Sequence, residues 1–196
     1  NCQSGLKLNL FNNNIGDKGV QALAHALKSG KCPSGLRLGL DDIYISDKGY
    51  QALADVLKSR HCPSGLKLDL RWNYIEDKVA QAFAEALASS NCRPGLHLRL
   101  GQNHITDKGA QALAGALASG RCPSDFHLNL ERSKIGDKGA QVLAEAFNSG
   151  HCRFGTTIRL DNEKYNFVEL SEKNNEAIHQ AALGIAILIG GFSHRN

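Results

Sequence analysis

The sequence predicts an α/β solenoid: a curved stack of short parallel inner strands and outer helices, about thirty residues per turn, ending in a C-terminal capping helix. Three observations carry this. Cysteines recur at Cys2, Cys32, Cys62, Cys92, Cys122 and Cys152, one every thirty residues. After them come alternating apolar residues, as at Leu96, Leu98 and Leu100, the period of a strand with one buried face. Beyond a bend, Ala110, Leu113, Ala114 and Leu117 fall on one face of a helix.

Five copies are complete, over residues 2–31, 32–61, 62–91, 92–121 and 122–151. In each, the strand leads to a bend where Asn103 and its equivalents bond the backbone through the side-chain amide. Ile43 and Ser133 replace that asparagine, so the ladder is expected to break at copies two and five. Asp17, Asp47, Asp77, Asp107 and Asp137 follow, read as N-cap carboxylates at the positive end of each helix dipole. Gly120 stands where a left-handed C-cap is wanted. The lysine after each aspartate, the glutamines from Gln21 to Gln141 and the serines from Ser29 to Ser149 recur in all five copies, which marks them as scaffold. Alanine-rich helices can approach closely, yet helices pack no nearer than about 8 Å while strands sit about 4.8 Å apart. The array must therefore bend, strands inside, leaving a concave face open to partners.

A sixth copy begins at Cys152, has a weakened strand at Thr156, Ile158 and Leu160, and loses the pattern at DNEKYNF. Residues 1–165 are read as repeats and 166–196 as a capping segment, helical from an N-cap at Ser171. Its uncharged run, Ala181 to Phe192, is too short for the ~20 residues of a membrane span. A membrane or partner helix is the alternative to the cap. The chain has no signal peptide and no methionine, and NCQSG already lies inside a repeat, which predicts a piece of a longer protein whose cap over Leu6, Leu8, Val20 and Leu23 is missing.

The run LxLxLxxNxI, at Leu66 to Ile75 and Leu96 to Ile105, resembles the leucine-rich repeat motif, and the thirty-residue helical unit resembles its ribonuclease-inhibitor-like subfamily. Near-identical repeats with GAQALA helices are similar to leucine-rich-repeat effectors that bacterial pathogens deliver into host cells. They also resemble the sensor end of cytosolic NOD-like receptors. The low divergence between copies favours the effector. Some ribonuclease-inhibitor-like repeat proteins resemble activators of the small GTPase Ran, which makes GTPase regulation one alternative; a substrate-recognition arm of a ubiquitin ligase is another.

Net charge is +4, with one Trp and four Tyr. A dedicated nucleic-acid binder would show a strongly basic stripe with stacking aromatics. Equivalent cysteines would sit roughly 5 Å apart, within disulfide range, but the ladder offers no preferred pairing. Buried thiols and a reducing, cytosolic compartment are the favoured reading. No CxxC, GxSxG, HExxH or phosphate loop is present, so no enzyme, cofactor or zinc site is expected. His97 and His127 should lie side by side, without a third metal ligand.

Partner-reading residues are sought where copies differ. The first outward strand column is Lys7, Arg37, Lys67, His97, His127 and Thr157, and the second is Asn9, Gly39, Asp69, Arg99, Asn129 and Arg159. Like charges side by side cost stability, so the basic row is explained either by an acidic patch on a protein partner or by plain solvation. Asp69–Arg99 and Asp41–Arg71 are expected as weak surface pairs. Trp72, beside Arg71, is the candidate anchor; Tyr44, Tyr74 and His104 share a column just beyond it, and Arg132 shares the column of Trp72. The expected function is protein–protein interaction across the concave face and its strand-to-helix edge.

Overall fold

The computed structural model describes residues 3–162 and 165–171, with side chains described through residue 160. Strand–helix units alternate as predicted: β1 (Lys7–Asn9), α1 (Gly16–Leu27), β2 (Arg37–Gly39), α2 (Asp47–Leu57), β3 (Lys67–Asp69), α3 (Asp77–Leu87), β4 (His97–Arg99), α4 (Asp107–Ala118), β5 (His127–Asn129), α5 (Asp137–Asn148), β6 (Thr157–Asn162) and β7 (Tyr165–Ser171). All strands join one sheet in chain order. From β1 to β6 they run parallel, with partners thirty residues apart, as in Lys67 opposite His97. The fold is a leucine-rich-repeat solenoid.

Strand β7 pairs antiparallel with β6, Ile158 opposite Leu170. The sequence reading placed residues 166–170 in the capping segment and missed this strand. Ser171 is its last residue. The predicted capping helix lies outside the described residues.

The alternating leucines form the inner core layer: Leu66, Leu68 and Leu70 are buried, as are Leu96, Leu98 and Leu100. Phe126 and Thr156 take the leucine place in copies five and six, both fully buried, and the Thr156 hydroxyl donates to the Arg153 carbonyl. At the first copy Leu6 and Leu8 are exposed, whereas Val20, expected to be bare, is buried.

The aspartates are not N-caps of their own helices. Ile15, Ser46, Glu76, Thr106 and Gly136 hold that position; Asp47, Asp77, Asp107 and Asp137 stand first in their helices, and Asp17 second, after Gly16. The carboxylates of Asp17, Asp47, Asp77 and Asp107 instead turn to the next repeat. Asp77 accepts from the Thr106 amide at 2.7 Å, the Thr106 hydroxyl at 2.6 Å and the Gly109 amide at 3.0 Å. Asp17 does the same for Ser46, and Asp107 for Gly136 and Gly139. The glycine of DKG is required by that approach: a Cβ on Gly109 would stand 2.7 Å from Asp77 Oδ1. Where Val79 replaces this glycine, Asp47 pairs instead with Lys78, at 2.9 Å. Hydrogen bonds from Ser46 hold the Asp17 carboxyl below its ordinary range. For Asp77, burial acts in the opposite sense, but the bonds from Thr106 and Gly109 outweigh it.

The asparagine ladder also runs between repeats. Asn103 Oδ1 accepts from the amides of Asn73 and Ile75, and its Nδ2 donates to Leu70, Leu100 and Gly101 carbonyls. Asn73 likewise receives the Ile43 amide. The breaks come where expected: Ile43 is apolar and fully buried, and Ser133 Oγ is buried with no hydrogen-bond partner among the described residues.

Cys62, Cys92 and Cys122 are free thiols. The thiols of Cys32 and Cys122 donate to the carbonyls of Ala26 and Ala116 at the ends of α1 and α4. Burial pushes the Cys62 thiol up to about 11, and those of Cys92 and Cys122 up to about 12, so all three stay protonated at neutral pH.

Candidate partner-binding surface

Register places the first-column side chains in one row across the concave face. Lys7 and Arg37 are exposed; Lys67, His97 and His127 are half-buried. Burial lowers the Lys67 ammonium, and Arg37 and Arg99 lower it further. The His97 and His127 rings stack, with centroids 4.1 Å apart at 26°. Burial, then His127 and Lys67, bring His97 down to about 4, so it is neutral at pH 7. His127 Nδ1 lies 2.6 Å from Thr157 Oγ1. Stacking sets ring faces together rather than aiming nitrogens at one point, and among the described residues no three His, Cys, Asp or Glu side chains gather as a metal site.

The expected Asp41–Arg71 pair gives way to another. Arg71 grips Asp69 of its own repeat through Nε and Nη2, both at 2.8 Å, while Arg99 Nη1 reaches the same carboxylate at 3.2 Å. A bidentate fork two residues along the strand outcompetes a single contact across strands. Burial acts to raise Asp69, but the hydrogen bonds and charge of Arg71 hold it low. Asp41, left without such a grip, is raised by its burial and by Asp69.

Beyond the strands, the column of Trp72 is left-handed in copies one to five: Asn12, Asp42, Trp72, Gln102 and Arg132 have φ between 50° and 59°. This turn lets the amides of Asn12, Asp42 and Gln102 reach carbonyls of the following repeat. For a bulky side chain the conformation costs on the order of 1 kcal/mol. Tyr74 is also left-handed, at φ 56°. Trp72 is 54% exposed and Tyr74 64%, so core burial does not offset that cost.

These residues open onto a groove of about 600 Å³ lined by Phe11, Asp42, Trp72, Tyr74, Gln102, Asn103, His104, Arg132 and Lys134. It crosses five repeats along the strand-to-helix edge. The Tyr74 and His104 rings meet edge to face at 5.2 Å. A second recess, about 170 Å³, lies on the concave face between Arg37, Lys67, His97 and Arg99. Of the predicted positions, Lys7 and Tyr44 line neither, Arg71 is committed to Asp69, and the rest divide between the two recesses or, as with His127, flank one.

Sequence reasoning missed Phe11, Asp42, Gln102 and Lys134. Lys134 was legible, since it continues the column of Tyr44, Tyr74 and His104 by one more period. Phe11 stands two repeats before Trp72, so its place in the groove depends on how successive turns of the stack are set against one another.

The family described as Leucine Rich repeat matches residues 6–24, 96–114 and 127–144. No curated protein sequence matches the chain. Among solved structures, Leiomodin-1 Actin-Binding Site 2 superposes with a TM-score of 0.51 at 15% identity, over 92% of this chain and 80% of that one. At that identity the likeness is one of fold. Matched motif, thirty-residue register and parallel inner sheet together give this chain the leucine-rich-repeat fold.

Proposed function

We propose that the chain is a non-catalytic interaction module that docks a protein partner across the concave strands and the adjoining edge groove, with Trp72 as its anchor. The observation that carries this is a tryptophan both exposed and held at φ 59°. Neither core packing nor backbone preference accounts for it, whereas an interface hot spot does. The basic row from Lys7 to Lys67 adds complementarity to an acidic patch on that partner.

The module belongs to the ribonuclease-inhibitor-like type, works in a reducing cytosol, and is the recognition part of a bacterial effector secreted into host cells; the near-identity of its repeats supports that assignment. It takes neither nucleic acid nor membrane as partner. Among the described residues, no helix is long and apolar enough to cross a membrane. The leiomodin structure is titled an actin-binding site, and at the level of fold alone it assigns no partner here.

The decisive measurement is the affinity of the purified partner, once isolated on the chain as bait. Trp72→Ala weakens it by about thirtyfold or more, as removal of a hot spot of ~2 kcal/mol requires. Lys138→Ala, on an outer helix, leaves it within about twofold. Equal loss in both variants, or in neither, refutes the anchor.

A further inference from the structure

The smaller recess has an origin in one column. At the second outward position the copies carry Asn9, Gly39, Asp69, Arg99, Asn129 and Arg159, so only copy two lacks a side chain there. That bare floor lies where the first column is most basic. Arg37, Lys67 and His97 stand on three consecutive registered strands around it, and Arg99 closes the side toward β4. Asp69 also lines the recess, but both of its oxygens are taken by Arg71, and Arg99 shares one of them.

The local charge is unbalanced. Arg37, Lys67 and Arg99 supply three positive charges against the carboxylate of Asp69; just outside, Arg71 adds a fourth and Asp41, with Oδ1 3.5 Å from where a Gly39 Cβ would stand, a second carboxylate, so the excess is still about two. Like charges on adjacent strands destabilise the sheet. A repeat protein under selection for stability alone would place a neutral residue in one of these copies, or an acid at position 39.

We propose that this recess binds one dianionic phosphate monoester, carried on a side chain of the protein partner. A phosphate of nearly two negative charges matches an excess of about two positive ones. A carboxylate, with one, leaves a cation uncompensated. Arginine forks and a lysine ammonium are the donor set suited to phosphate oxygens. The phosphodiester backbone of a nucleic acid is the poorer fit, because it wants a basic track and these cations converge on one point. The assignment rests on the reading that the partner is a protein, and it concerns a different recess from the Trp72 groove.

The test is isothermal titration of the whole chain at low ionic strength. The probes are a short glycine-flanked peptide carrying phosphoserine, the same peptide with glutamate, its unphosphorylated form, inorganic phosphate, and a thymidine oligonucleotide. The phosphopeptide binds one to one and at least about tenfold tighter than the glutamate peptide or the oligonucleotide, inorganic phosphate competes with it, and the unphosphorylated peptide does not bind. Arg37→Gln and Lys67→Gln each weaken it at least about tenfold. Gly39→Asp abolishes it by placing a carboxylate on the floor. A Cβ there meets only the tip of Asn9 at 3.0 Å before ordinary contacts begin, so that variant folds, as thermal melting verifies.

No saturable phosphopeptide binding, equal affinity for glutamate, tighter oligonucleotide binding, or indifference to both Arg37→Gln and Lys67→Gln overturns the inference. Lys138→Ala, on an outer helix, leaves phosphopeptide affinity unchanged. If the phosphopeptide fails while partner binding still depends on Trp72, the phosphate site falls and the interaction module stands. If it binds as described to a chain whose partner ignores Trp72→Ala, the reverse holds.

Discussion

A tryptophan gains nothing locally from a left-handed turn, and the residue scale is where that mismatch can be measured. Trp72→Asn keeps the turn, because asparagine tolerates positive φ better than any other side-chain-bearing residue. The variant should be as stable as the parent or more stable by up to about 1 kcal/mol, by urea titration, while partner affinity collapses. Loss of stability would mean that the ring holds the fold. His97 gives a second measurement, in pH. Its folded value of about 4 lies below the ordinary 6.5, so the folded chain binds fewer protons than the unfolded one between those limits. The stabilisation is complete above pH 6.5 and is lost as pH falls toward 4. His97→Gln should flatten the decline in Tm over that window relative to the parent.

Single strands and helices owe their ends to neighbours. Because Asp77 caps the helix of the following repeat with three hydrogen bonds while Asp47 makes one exposed ion pair, two chemically equal substitutions should differ. Asp77→Ala costs about 2 kcal/mol and Asp47→Ala less than about 0.5, read as a shift in denaturation midpoint. Asp77 loses its contribution as pH falls from the ordinary carboxylate range through its depressed folded value. Ser133→Asn should add about 1 kcal/mol by restoring the missing rung at a buried hydroxyl that has no partner among the described residues. No gain would show that the bend in copy five has relaxed away from the ladder geometry.

For the whole molecule, stability is shared along the stack, since each turn buries its leucines only against its neighbours. Leu98 lies in the fourth of the parallel strands with none of its surface exposed, whereas Leu8 at the first is 38% exposed. Leu98→Ala should cost about 2–5 kcal/mol, and Leu8→Ala less than about 1. Both should be read from one cooperative unfolding transition. The proposed partner also spans the whole: a groove crossing five repeats and a basic recess at the second to fourth strands can engage one protein only if the array is intact.

A period of thirty residues determined, without any structure, which side chains align. Strand register, the buried leucines, the basic row, the adjacency of His97 and His127 and the broken rungs at Ile43 and Ser133 all follow from that number and from alternation. Tertiary structure alone decided the directions of interactions between copies. Asp77 turned forward to the next helix instead of capping its own, and Arg71 chose Asp69 over Asp41. Phe11 and Lys134 reached one groove with Trp72. The physical reason is that a repeat specifies what each residue is and which column it shares, while hydrogen bonds and grooves depend on the rotation and rise between turns, which is set by packing helices wider than strands.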